Sequence, residues 1–243
     1  LSGARRISAG AARDHLIGIK AVNGLAEEFK SGGRVVKNVT GYDVARGLTG
    51  SWGTLAVITE VTFKVMPWPD DTTTLVYLGL TDELATELMQ AALATPFEVS
   101  GTVHIPEALA QRLKHDGLAR LDTSLTALRV ENFPQSVAYR RDALRDMLKT
   151  RGFVKSIDLD AHDSLALWGE LRQLSVFPYA PTLLWRISTT PGNGPKLVSA
   201  VRRHMHAEAL YDWSGGLVWL ETPASADAGS ADIRRAVATH GGH

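Results

Sequence analysis

Residues 41–60 read GYDVARGLTGSWGTLAVITE, and this stretch decides the fold. Tyr42 to Leu48 has the spacing of a short helix. Asp43 stands near its start, where a carboxylate suits the helix dipole. Gly50 and Gly53 follow in GSWGTL. Glycines there allow a positive φ and a close approach of the backbone to a ligand. Residues 55–65, LAVITEVTFKV, then give the strongest strand signal in the sequence. Val57, Val61, Phe63 and Val65 are its apolar positions, and Thr62 and Lys64 alternate with them in the second half. The order is helix, glycine turn, strand. A dinucleotide-binding fold has its glycine loop after a strand and before a helix, so this is not that fingerprint. A ligand-free helix-to-strand turn accounts for the same spacing.

Upstream, residues 15–23 (HLIGIKAVN) predict a strand. Asn23-Gly24 predicts a hairpin turn, and residues 25–30 predict its partner strand. Ser31-Gly32-Gly33 breaks that strand. Small residues crowd two short loops, at Leu1-Ser2-Gly3 and from Ser8 to Asp14. Loops of this kind can hold a pyrophosphate with backbone N–H groups and no cation. Simple turn chemistry explains them as well. The loop from Lys37 to Asp43 concentrates polar, aromatic and acidic groups, a pattern that functional loops share with ordinary helix caps.

Downstream, Pro67 and Pro69 close the strand and mark a domain boundary: residues 1–69 form one unit and residues 70–243 a second. The second unit alternates predicted strands with predicted helices. Strands are expected at 74–80, 97–105, 124–132, 183–189 and 215–222. Helices are expected at 81–94, 106–114, 136–151 and 196–205. This order fits an α+β unit, a helix-covered antiparallel sheet.

The whole chain, 243 residues with 44% apolar composition, suits two packed units. Its 26 basic and 26 acidic residues balance, so charge offers no reason to expect nucleic acid or an anionic membrane surface. It has no cysteine, which excludes disulfides, thiolate zinc sites and iron–sulfur ligation by this chain. No run approaches the roughly 20 apolar residues of a spanning helix. The eight histidines are scattered. His204 and His206 form an HxH beside a predicted helix, and no metal site is expected. No Ser-His-Asp or HExxH pattern is present, and no residue is assigned as catalytic. The chain opens at Leu1 in glycine-rich text and stops at Gly241-Gly242-His243, which reads as a fragment truncated at both ends.

Three blocks taken together resemble a known family: LSGARRISAGAARDHLIGIKAVNG, GRVVKNVTGYD and GSWGTLAVITEVTFKVMP. They are similar to the FAD-binding domain of the vanillyl-alcohol-oxidase or PCMH type, and within it to the glycolate oxidase FAD-binding subunits. The later text LLWRIS and YDWSGGLVWL is similar as well. The resemblance implies the second half of a PCMH-type FAD-binding domain over residues 1–69. A ferredoxin-like FAD-linked oxidase C-terminal unit would follow. It implies FAD held largely by backbone atoms. Ser2 and Gly3 would end one flavin-contacting loop. Gly10 and Ala11 would lie beside the pyrophosphate, with Asp14 just beyond. Gly50 and Gly53 would shape the adenosine-side turn, and Val57 would contact the adenosine end through its backbone.

The resemblance also implies a function, an FAD-binding subunit of a multi-subunit glycolate (2-hydroxy acid) oxidase or dehydrogenase. A catalytic flavoprotein subunit and an iron–sulfur subunit would be its partners. The expected location is the cytoplasm, or the inner face of a membrane reached through those partners. Two departures stand out. Relatives that oxidise 2-hydroxy acids carry an Arg four residues before the Thr of TGYD, and here that position is Val36. Their His-rich C-terminal motif is not found either. A non-catalytic subunit that keeps the flavoprotein fold and stabilises the complex is therefore an alternative, and a standalone oxidase of another alcohol is a third.

Overall fold

A computed structural model describes residues 3–36, 41–177 and 181–243. The chain divides into two compact units, Leu1–Trp68 and Pro69–His243.

The first unit begins with two single-turn helices, α1 (Arg6–Ala9) and α2 (Ala12–His15). They stand where the sequence reads as loop. The Asp14 side chain accepts a hydrogen bond from the Ala11 N–H at 2.7 Å, which stabilises the first turn of α2. Three strands follow: β1 (Leu16–Asn23), β2 (Glu28–Gly32) and, after helix α3 (Val44–Leu48), β3 (Ala56–Phe63). They form an antiparallel sheet in the order β2-β1-β3. The hairpin turn is longer than Asn-Gly predicts. The Asn23 side chain accepts from the N–H groups of both Leu25 and Glu27, and Ala26 takes a left-handed φ of 60°. That loop moves the partner strand on to Glu28. Helix α3 lies on one face of the sheet, where Leu16, Ile19, Ala21, Ala45, Leu48 and Ala56 make a small core. Asp43 caps it by accepting from the Arg46 N–H at 3.1 Å. Val57, Val61 and Phe63 of β3 remain exposed.

The second unit is built on a seven-stranded antiparallel sheet. Its elements are β4 (Asp71–Leu78), α4 (Asp82–Leu93), β5 (Val99–Ile105), α5 (Glu107–Ala110), α6 (Asp116–Ala119), β6 (Leu125–Asn132), α7 (Pro134–Thr150), β7 (Ser156–Leu159), α8 (Ala161–Gln173), β8 (Thr182–Ser188), α9 (Gly194–Arg202), β9 (Glu208–Asp212), β10 (Leu217–Pro223) and α10 (Ser230–His240). Strand order is β7-β4-β6-β5-β9-β10-β8. One face carries α4, α7, α9 and α10 over a continuous core that includes Leu75, Tyr77, Leu88, Leu128, Leu144, Val198, Tyr211 and Val218. On the other face Trp168 of α8 donates to Thr74 Oγ1 at 3.0 Å. Arg112, just after α5, reaches Glu221 of β10 at 2.6 Å on that same face. Strands β4 and β6 are covered on both faces, so they read as continuous apolar and threonine text rather than an alternation.

Candidate functional site

In the first unit the sequence singles out two loops and one turn. Ser2 lies outside the described residues, as do positions 37–40. Gly3 is exposed, and its carbonyl accepts from the Arg6 N–H. Gly10 ends α1 with φ at +90°, and an added Cβ would come within 2.9 Å of Asp14 Oδ2. The adjacent Ala11 N–H is taken up by Asp14. That hydrogen bond holds the Asp14 carboxyl below its usual range against desolvation, with Arg6 and Arg13 assisting. The N–H groups of Gly10, Ala11 and Asp14 are therefore all taken up within the loop and α1.

The turn after α3 is different. Gly50, Trp52 and Gly53 all have left-handed φ values, of 88°, 57° and 75°. Thr54 braces the turn by donating from N–H and hydroxyl to the Ser51 carbonyl, at 3.0 and 2.6 Å. The N–H groups of Trp52 and Gly53 make no hydrogen bond among the described residues, and no atom stands within 4 Å of a Cβ built on Gly53. Trp52 is 91% exposed. Left-handed conformation at a tryptophan is costly and clusters at functional sites. The turn presents unspent backbone donors to open space, which fits a phosphate or ribose oxygen. Val57 follows on β3, the edge strand of the sheet, with its side chain exposed.

Sequence reasoning passed over a second polar centre, in the second unit. Strand β9 ends at Asp212, and Trp213, Ser214 and Gly215 follow with φ values of 52°, 58° and 83°. Three successive left-handed residues form a one-turn 3-10 helix between β9 and β10. The Asp212 carboxyl is buried and accepts from the Trp213 N–H at 2.7 Å. Burial pushes it up to about 7, against that hydrogen bond and the attraction of Arg129 and Arg186. Arg129 is itself buried. It is held by the Ser100 hydroxyl at 3.1 Å, by Glu131 at 3.3 Å and by the Trp168 ring at 4.4 Å. On the opposite face the same strand is anchored by Tyr211, whose hydroxyl donates to Asp82 Oδ2 at 2.5 Å. Asp82 also meets the fully buried His104 at 3.2 Å and Arg202 at 3.1 Å. Burial raises the Asp82 carboxyl, but these partners outweigh it and hold it below its usual range. The signal in the sequence was the pairing of an acid with YDWSGG: Trp and Ser cannot reach left-handed backbone without strain, so only the structure reveals the turn.

No family model matches the chain. It is 31% identical over 244 aligned residues to glycolate oxidase subunit GlcE of Escherichia coli (strain K12), covering all of this chain and 57% of that protein. It is 34% identical over 107 residues to glycolate oxidase subunit GlcD of Bacillus subtilis (strain 168), covering 44% of this chain and 21% of that one. Among solved structures, p-cresol methylhydroxylase with substrate bound superimposes with a TM-score of 0.62 at 12% identity, over 93% of this chain and 54% of that chain. The chain is thus similar to glycolate oxidase subunits in sequence, and its fold is the PCMH-type fold. The PCMH-type fold accounts for the α+β architecture of both units. The chain spans little more than half the length of its GlcE relative.

Proposed function

We propose that the chain is part of an FAD-binding subunit of a glycolate (2-hydroxy acid) oxidase or dehydrogenase. The observation that carries this reading is the alignment with GlcE over the whole chain. The Gly50–Gly53 turn supports it, because its open donors suit the adenosine side of a flavin nucleotide. Trp52, Gly53 and the edge strand at Val57 would hold that end. When bound, FAD supplies the acceptor for the two electrons removed from the substrate. This chain's own residues bind and orient. The turn fixes the nucleotide through main-chain donors, and the edge of β3 offers further backbone groups. The Gly10 N–H is spent on the Arg6 carbonyl and the Ala11 N–H on Asp14, so this loop joins only by giving up those bonds.

A GlcD-like flavoprotein subunit and an iron–sulfur subunit are the proposed partners, as GlcE and GlcD are both named glycolate oxidase subunits. No helix among the described residues is long and apolar enough to cross a membrane. The proposed location is the cytoplasm or the inner membrane face, reached through partners. The second reading, a structural subunit without working flavin, has a specific observation behind it: the Ala11 N–H is already spent on Asp14. The visible spectrum of the purified full-length protein separates the two. Flavin absorbance that is retained on gel filtration supports the first. A colourless protein that FAD does not reconstitute, in a complex that stays active, establishes the second.

A further inference from the structure

Strands β8 and β10 form one end of the large sheet; on the Asp212 side Leu217 and Glu221 of β10 are buried, and the accessible part of the face is on β8. Leu184 is 42% exposed there and Arg186 is exposed. Arg186 stands directly across from Trp219 in the strand register. Its guanidinium lies 5.9 Å from the Trp219 ring centroid and 5.4 Å from that of Trp213. Two indole rings therefore orient it, at the expense of no N–H donor. The other arginines of this face are spent. Arg129 is paired with Glu131, and Arg112 with the buried Glu221. No carboxylate lies within ion-pair distance of Arg186 among the described residues. An oriented guanidinium on an accessible strand, in direct ion pair with no carboxylate among the described residues, is a receptor for a planar anion. The cavity of about 410 Å³ between Arg112, Thr182, His206, Glu208 and Glu221 contrasts with it. There each acid already faces a cation, Arg112 or Arg202.

We infer that Arg186, clamped by Trp213 and Trp219, is the binding group for the carboxylate of a small organic acid. This assignment rests on the 2-hydroxy-acid reading for its substrate class. It gives the chain a cation that the Val36 position lacks. Asp212 sits on the same face of β9, two strands from Arg186 with β10 between them, and modulates the site by charge. Arg129 and Glu131 face it from β6 and Arg186 from β8, while the Arg112–Glu221 pair and Glu208 lie further along the same face. Ionised Asp212 weakens the positive potential at Arg186, and protonated Asp212 restores it. Anion binding therefore tightens as pH falls through about 7.

The test is calorimetric titration of the full-length protein with glycolate as probe and glycolamide as the uncharged control, at pH 6 and pH 8. Glycolate should bind, glycolamide should not, and affinity should be several-fold higher at pH 6. R186Q should lose at least tenfold in affinity. Arg186 is exposed on the last strand of the sheet, so this variant should keep the wild-type melting curve. D212N should bind at pH 8 as tightly as wild type does at pH 6. Wild-type affinity in R186Q, or equal binding of glycolamide, overturns the inference. Flavin content of the same samples keeps the two proposals apart. Colourless protein that binds glycolate through Arg186 fails the flavin reading alone, and yellow protein whose binding ignores R186Q fails this one alone.

Discussion

Asp212 shows how one buried carboxyl couples stability to pH. Its folded value is about 7, raised first by burial, whereas an unfolded aspartate titrates near ~4. Between those values the folded state holds a proton that the unfolded state has lost. Stability from this group is therefore full below about pH 4 and is lost as pH rises toward 7, at roughly 1.4 kcal/mol per pH unit. Above pH 7 the penalty is constant. D212N carries no such charge and keeps a donor-acceptor group of the same shape. Its melting temperature should match wild type at pH 4.5 and exceed it at pH 8. Equal melting temperatures at both values would show that the carboxyl is solvated. The sequence shows this acid in YDWSGG but not its burial. Asp in YDWSGG reads as a turn acid, and the burial that shifts it comes from strands 80 to 110 residues away in the chain. Gly50 and Gly53 are the reverse case, because glycine spacing in a helix-to-strand turn announces positive φ directly.

At the level of elements, β9 is held from both faces. Tyr211 ties it to the start of α4 through Asp82, which His104 and Arg202 also grip. The Tyr211 ring is fully buried, and burial beside Asp82 pushes its hydroxyl well above the usual range. Y211F removes one donor and leaves Asp82 with two partners. The expected loss is about 1–2 kcal/mol, read from the urea midpoint at constant slope. A drop no larger than that of an exposed Tyr139→Phe control would show that the network is loose. Elements with strong periodicity were legible: β3, β4, α4, β6 and α7 all stand within a few residues of their expected positions. Strand β9 and helices α8 and α10 were not. Strand β9 has only five residues. Helix α8 buries Leu167, Trp168 and Leu171 but breaks the pattern with Gly169 and polar neighbours. The short helix α2 depends on a side-chain cap that composition does not reveal, and α1 is a single turn with no side-chain cap at all.

For the whole molecule, the two units each have their own core. The second carries the large cluster around Leu75, Leu128 and Tyr211, drawn entirely from residues beyond Pro69. Residues 69–243 expressed alone should therefore give a cooperative melt and a dispersed amide spectrum. A molten-globule signature, with far-UV but no near-UV circular dichroism, would show that the core is not self-sufficient. The first unit has a core of only a few small and medium side chains. Fold class was legible because hydrophobic period and turn chemistry are local. Of the two candidate sites, the Gly50–Gly53 turn stands in one contiguous motif of the sequence; the arginine and its two tryptophans come from separate segments joined by pairing.

The exposed stretch of β3 has a practical side. It is an eight-residue edge strand, with Val57, Val61 and Phe63 exposed and the apolar run Val65-Met66 just beyond. Backbone groups and apolar side chains on an open edge recruit further strands. In a purification the first unit alone would be the colloidally fragile half, precipitating with concentration while the second stays dispersed. Solubilising lysines belong at Val61 and Phe63 of β3, away from Val57, not on the covered strands β4 and β6 of the large sheet.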